Sequence, residues 1–152
     1  MNVFLDTEFT DFMAPHLISL GMASEYGEDF YGEVPYPDHL CSTFVREVVI
    51  PLLREIPHSY FSLPKLHLEI IKWLEIVRRN NEDVYICVDS QTDWDLFRNA
   101  LDHRVPSWCH CKFVSDEIVE LMLYDFFENS KLPEHHALHD AQANRHAYRI
   151  KS

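Results

Sequence analysis

Three apolar, β-patterned runs, 2–9, 16–24 and 28–34, follow one another with only short connections between them. The last two meet at SEYGED, where Gly27 supplies a turn residue. Strands so closely joined pair antiparallel as a meander, because a parallel return needs roughly a dozen residues or more. Downstream the period changes. Leu40, Phe44, Val48 and Leu52 recur every four residues, which predicts a helix that Pro51 ends or kinks. Leu66, Ile70, Leu74 and Val77 predict a second, amphipathic helix, opened by Ser62 and Pro64 and closed near RRNNED. DVYICV reads as a buried strand, followed by a helix carrying Trp94, Phe97 and Leu101. A strand at 111–114 leads to a helix over 115–127, and ALHDAQANRHAYRI supplies the last helix. Single helices between strands signal parallel crossovers. The expected fold class is therefore α/β: a mixed sheet of three antiparallel strands and then parallel ones, flanked by helices, with residues 1–152 as one domain.

Composition narrows the function. A hydrophobic fraction of 47%, with ten Phe and only three Gly, argues for a packed core and against disorder. There is no basic leader and no apolar run near the roughly 20 residues a membrane helix needs, so a soluble protein is expected. Four Cys in a chain of this size make no disulfide framework, and reduced thiols in the cytoplasm are the simpler account. A net charge of −12 excludes a protein that holds nucleic acid by its overall charge, since Lys and Arg on phosphates supply most non-specific affinity. Bound cations or a local basic patch would have to do that work.

The acids are not scattered. In VFLDTEFTD the strand period puts Asp6 and Glu8 on one face with Phe4 and Thr10, while Val3, Leu5, Thr7 and Phe9 line the other. Two like charges side by side in a poorly hydrated place raise a pKa or recruit a cation. VDSQTDWDLF places Asp89, Asp93 and Asp95 at a strand-to-helix turn, where open α/β sheets put ligands; one of the three is expected to cap the helix. In HHALHDAQANRHAY, His135 sits on a loop after Pro133, free to swing, five residues before Asp140. Asp140 and Asn144 share a helix face, and Ala143 and Ala147 allow close packing. Four carboxylates without a committed Cys or His set suit magnesium or manganese over zinc. The competing metal set, Cys109, His110 and Cys111 with His103, alternates across a strand and lacks two spaced ligand pairs.

FLDTEFT, VDSQTDWDLF and HHALHDA, in that order, resemble the DEDDh family of 3′-to-5′ exonucleases, and most of all its small stand-alone exoribonuclease-like members. The resemblance implies a ribonuclease H-like fold and a two-metal phosphodiesterase using two divalent cations, Mg2+ or Mn2+. It implies Asp6, Glu8, Asp93 and Asp140 as metal ligands and His135 as the general base. The middle acid matches at Asp93, with Leu96 and Phe97 three and four positions on, although Trp94 before Asp95 fits the family's habit at that neighbour. Where relatives commonly have Asn four residues before the middle acid, this chain has Asp89. Asp89 therefore joins Thr7, Phe9 and Phe12 as candidate substrate contacts. The expected partner is the 3′ end of single-stranded RNA or DNA; related enzymes are often dimers, which implies a homodimer. The alternative is an acidic interaction protein or an inactive relative of the nucleases.

Overall fold

The computed structural model describes residues 1–150. Its strands are β1 (Asn2–Phe9), β2 (Leu17–Ser24), β3 (Asp29–Glu33), β4 (Val84–Val88) and β5 (Cys109–Phe113). Its α-helices are α1 (Leu63–Val77), α2 (Gln91–Ala100), α3 (Glu120–Ser130) and α4 (Ala137–Ala147). The sheet order is β3-β2-β1-β4-β5. β1, β2 and β3 form the expected antiparallel meander, and β4 and β5 add parallel to it.

Alternation along β1 separates two cores. Val3 and Leu5 face α1 and α2, in a cluster where Leu66, Ile70, Leu74 and Val77 of α1 are all buried at the predicted helical period. Ser62 caps α1 by accepting from the Lys65 N–H. Phe4 faces the other way, packed with Cys87 and Val114 and touched by Ile118 and Tyr148. Asp6 and Glu8 continue the Phe4 face, which is the face that α4 covers.

That cover is unusually close. Gly21 of β2 pairs with Asp6 of β1, and a Cβ at Gly21 would lie 2.4 Å from the carbonyl carbon of Ala137. The first turn of α4 thus rests its backbone on the sheet beside Asp6, which only a residue without a side chain permits.

Three expectations change. The segment 43–52 is no regular α-helix: it runs into a π turn (Val45–Val49) and a 3₁₀ turn (Ile50–Leu52). Its buried row is Cys41, Val45 and Val49, packed on Ile18, while Leu40 and Phe44 are exposed. Both rows are apolar at four-residue spacing, so spacing alone could not choose between them, and the wider π turn keeps the inner row on the sheet. The helix expected over 115–127 is split, because Ile118 forms an antiparallel bridge with Tyr148 before α3 begins. The same bridge ends α4 at Ala147. Among the described residues no helix is long and apolar enough to cross a membrane.

Candidate active site

β1 and β4 run parallel, so their carboxyl ends lie on one edge of the sheet. β1 delivers Asp6 and Glu8 there. β4 delivers Asp89, directly after its last residue, and the first turn of α2 adds Asp93. α4 brings Asp140 in its first turn. The oxygens form two trios, Asp6, Asp89 and Asp93 in one and Asp6, Glu8 and Asp140 in the other, the ligand atoms of each lying within 4.8 Å of one another. Asp6 belongs to both.

Hydrogen bonds set two of these acids firmly. Asp93 is buried, and its Oδ1 accepts from the Thr7 N–H at 3.1 Å and from the Thr7 hydroxyl at 2.5 Å, while Oδ2 accepts from the Ser90 hydroxyl. The helix cap is Ser90 rather than one of the three aspartates: its Oγ accepts from the Asp93 N–H at 3.2 Å. A serine has the hydroxyl to accept from the helix and donate back to Asp93, a reciprocity an aspartate lacks. Asp95 points away, exposed, and accepts from Gln91 Nε2 at 2.9 Å.

His135 is held rather than free to swing. Its backbone adopts a left-handed φ of 61°, which aims its N–H at Asp140 Oδ2, 3.1 Å away. Its ring meets Phe44 edge-on at 5.0 Å and lies 3.9 Å from the Glu134 carboxylate. The neighbouring imidazoles do other work. His136 is buried and stacked between Tyr31 and His139, and burial, then His139, pushes its pKa down to about 4. His139 Nδ1 lies 2.9 Å from the Pro133 carbonyl oxygen.

The electrostatics of the trios are those of a cation site. Burial, and then Asp140, Asp93, Glu8 and Asp89 in turn, holds the Asp6 carboxyl well above the usual range. Burial followed by Asp140 and Asp93 pushes Glu8 up to about 8. Asp140 rises to about 7, mainly by burial, although the His135 N–H favours its anion. Asp93 reaches about 6, burial winning over the Ser90 and Thr7 hydrogen bonds that oppose it. An all-oxygen donor set crowded with like charge fits hard divalent cations, which would favour the ionised forms. Among the described residues these two trios are the groups placed to hold a metal; Cys109, His110, Cys111 and His103 form no such group.

The acids line a cavity of about 500 Å³ together with Thr7, Phe9, Phe12, Ser42, Phe44 and His135. Phe9 is half-buried and Phe12 is 82% exposed, the two rings meeting edge to face at 5.0 Å. Buried Thr10 shapes the loop that carries Phe12, its hydroxyl donating to the Ala14 carbonyl and accepting from the His16 N–H. A smaller cavity of about 200 Å³ shares Asp6 and Asp140 and is lined by Leu123 and Phe127 of α3. Sequence reasoning missed Gly21, Ser90, Ser42, Phe44 and the two α3 residues. Ser90 had a signal in SQTD, an N-cap followed three residues later by an acid, and Gly21 had one as a lone glycine within a strand.

No protein-family model and no curated protein matches the chain by sequence. Solved structures do match by shape. The nuclease domain of 3'hExo, a DEDDh family member solved bound to rAMP, aligns with a TM-score of 0.61 at 13% identity, over 99% of this chain and 96% of that one. The two share a fold. A full-length 3'-exonuclease aligns at 0.57 and 11% identity, over 98% of this chain and 84% of that one. Cell-death related nuclease 4 (CRN-4) aligns at 0.52 and 15%, over 95% of this chain and 60% of that one. The mixed sheet and its flanking helices are thus ribonuclease H-like, as the motif order implied.

Proposed function

We propose that the chain, acting as one exonuclease domain, is a metal-dependent 3′-to-5′ exonuclease that releases nucleoside 5′-monophosphates, with single-stranded RNA as its substrate. The observation that carries the reading is the pair of carboxylate trios sharing Asp6 inside one cavity. Two divalent cations, Mg2+ or Mn2+, would supply the clamp on the attacking and leaving oxygens of an in-line displacement at phosphorus. Asp6 would serve both ions, Glu8 and Asp140 would complete one shell, and Asp93 the other, joined by Asp89.

His135 is the proposed base, because imidazole accepts a proton near neutral pH and this ring lines the cavity beside Asp140. Its left-handed backbone and the Phe44 ring hold it in place, so little ordering is needed at the moment of reaction. Phe12 and Phe9 offer faces to a terminal base, and the Thr7 hydroxyl is committed to Asp93, so Thr7 acts on substrate only through that acid. Ribose is favoured by the motif resemblance, and the rAMP bound to the 3'hExo nuclease domain is of the proposed product class. The four unpaired cysteines fit a reducing compartment, here the cytoplasm.

The test is digestion of end-labelled single-stranded RNA and DNA with Mg2+ and with Mn2+. Chelator should abolish cleavage, and Asp6→Ala should abolish it with the fold intact by circular dichroism. Full activity in excess chelator would overturn the two-metal reading, and a metal-binding but inert protein would favour the acidic interaction protein instead.

A further inference from the structure

We propose that the chain holds a second ligand site, apart from the carboxylate trios, for a nucleoside 5′-monophosphate: a flat ring with N–H donors that carries one anionic group. The site is a cavity of about 410 Å³ at the end of β3, within the size range of small-molecule sites. It shares no lining residue with the two cavities around the acids. Segment 38–54 serves both sides, giving Ser42, Phe44 and Val45 to the main cavity and Asp38, Ile50 and Leu53 to this one.

The anion has a prepared partner in Arg54. Its backbone takes a left-handed φ of 67°, uncommon for a residue with a side chain, and holds it because the N–H donates to both Glu33 oxygens, at 2.9 and 3.2 Å. The guanidinium carbon sits 3.4 Å from the centroid of the Tyr60 ring. The chain carrying that ring is itself fixed, since the Glu33 N–H donates to the Ser59 carbonyl at 2.7 Å and the Glu33 carbonyl accepts from the Phe61 N–H at 2.8 Å. Arg54 Nε lies 3.5 Å from Glu33 Oε1, the side chain is 62% exposed, and among the described residues the guanidinium donates no hydrogen bond. Its Nη atoms are thus a fork without an acceptor, on an aromatic support, which is what phosphate recognition asks of an arginine. The rest of the wall suits a ring. Ile18 and Val34 are buried, Ile50 and Leu53 are apolar, and Tyr36 adds an aromatic face. Buried Glu33 and exposed Asp38 offer carboxylate oxygens to exocyclic N–H groups, and the Arg46 ion pair offsets the Asp38 charge. An aliphatic anion would meet neither the ring nor those acceptors.

The experiment titrates the full chain in chelator, where the crowded acids of the main cavity repel a phosphate, with adenosine 5′-monophosphate (AMP), adenosine and inorganic phosphate, followed by amide chemical shifts and calorimetry. AMP should shift the amides of residues 33–38 and 50–60, with adenosine and phosphate each bound about tenfold or more weakly, because ring and anion are held by different residues. Arg54→Gln keeps the backbone N–H on Glu33 and hence the fold, checked by circular dichroism; it should weaken AMP by about tenfold and leave adenosine within about twofold. Tyr36→Leu should weaken both alike, and Phe12→Ala at the main cavity should change neither. Shifts confined to the main cavity, adenosine bound as tightly as AMP, AMP affinity indifferent to Arg54→Gln, or no saturable binding at millimolar AMP overturns the proposal. The nuclease reading stands or falls separately, since a protein that cleaves nothing can still bind AMP here.

Discussion

Glu8→Gln should stabilise the metal-free protein at alkaline pH while weakening binding of the cation that Asp6, Glu8 and Asp140 would hold. Glu8 is raised from its ordinary 4.5 to about 8 by burial and by Asp140 and Asp93. The folded state therefore binds a proton between those values that the unfolded chain has released, and stability falls as pH rises through that window. At about 1.4 kcal/mol per pKa unit the whole displacement corresponds to an upper bound near 5 kcal/mol. Part of it is repulsion shared with Asp140 and Asp93, which relaxes when any one of the group keeps its proton, so about 2–3 kcal/mol is the expected gain. The amide has the size of the carboxyl, carries no charge and needs no proton. Urea melts of wild type and Glu8→Gln in chelator at pH 4.5, 7 and 9 isolate the effect of the crowded cluster, because titrating groups outside it cancel in the difference. The two proteins should be nearly equal at pH 4.5, with the variant more stable at pH 9. In saturating Mn2+ the order should reverse, since the wild type gains from an ion at Asp6, Glu8 and Asp140 that the variant holds more weakly. A variant that is less stable than wild type at pH 9 in chelator, or a difference that does not vary with pH, would refute the crowding argument.

Asp93→Asn should cost far more activity than Asp95→Asn, since Asp93 is buried in a trio and Asp95 is exposed on a neighbouring glutamine; steady-state rates on one RNA substrate rank them. His135→Ala should slow turnover by about 10²–10⁴ with metal affinity nearly unchanged by calorimetry, whereas His139→Ala should do much less. Near-normal turnover of His135→Ala would remove the base from its proposed role. Gly21→Ala should lower thermal stability and weaken metal binding together, because its Cβ would drive the Ala137 backbone off the sheet and carry Asp140 with it. Retention of both would show that α4 can shift without consequence.

The antiparallel meander, the α1 stripe and the acids of β1 were legible because each is a local pattern with a single solution. Alternation puts Asp6 and Glu8 on one face whatever packs there, and Leu66, Ile70, Leu74 and Val77 share one side of a helix in any context. The segment 40–53 was illegible for the opposite reason: two apolar rows of equal spacing compete, and only contact with Ile18 selects Cys41, Val45 and Val49. Asp89 shows a subtler limit. Its position after β4 pointed to a ligand-binding edge, but whether it faced a metal, a helix N-terminus or a bound strand depended on Ser90 having taken the cap. His135 likewise could be chosen by spacing, yet its fixity comes from a positive φ and from Phe44, neither of which a motif encodes.

The site is assembled from elements that its own charges push apart. Asp6 and Glu8 ride on β1, Asp89 and Asp93 on the β4–α2 turn, and Asp140 on α4, so repulsion within each trio acts across joints of the fold. The joint to α2 carries its own clamp in the Thr7 and Ser90 hydrogen bonds to Asp93. The joint to α4 has backbone contact at Gly21, with Arg145 and Gln142 tied to Ser24 and Asp29 at its far end, but among the described residues no side chain donates to Glu8. This asymmetry agrees with the raised pKa values, about 6 for Asp93 against about 8 for Glu8. A cation among Asp6, Glu8 and Asp140 would therefore do more than chemistry: it would supply the attraction between β1 and α4 that those side chains do not provide for themselves.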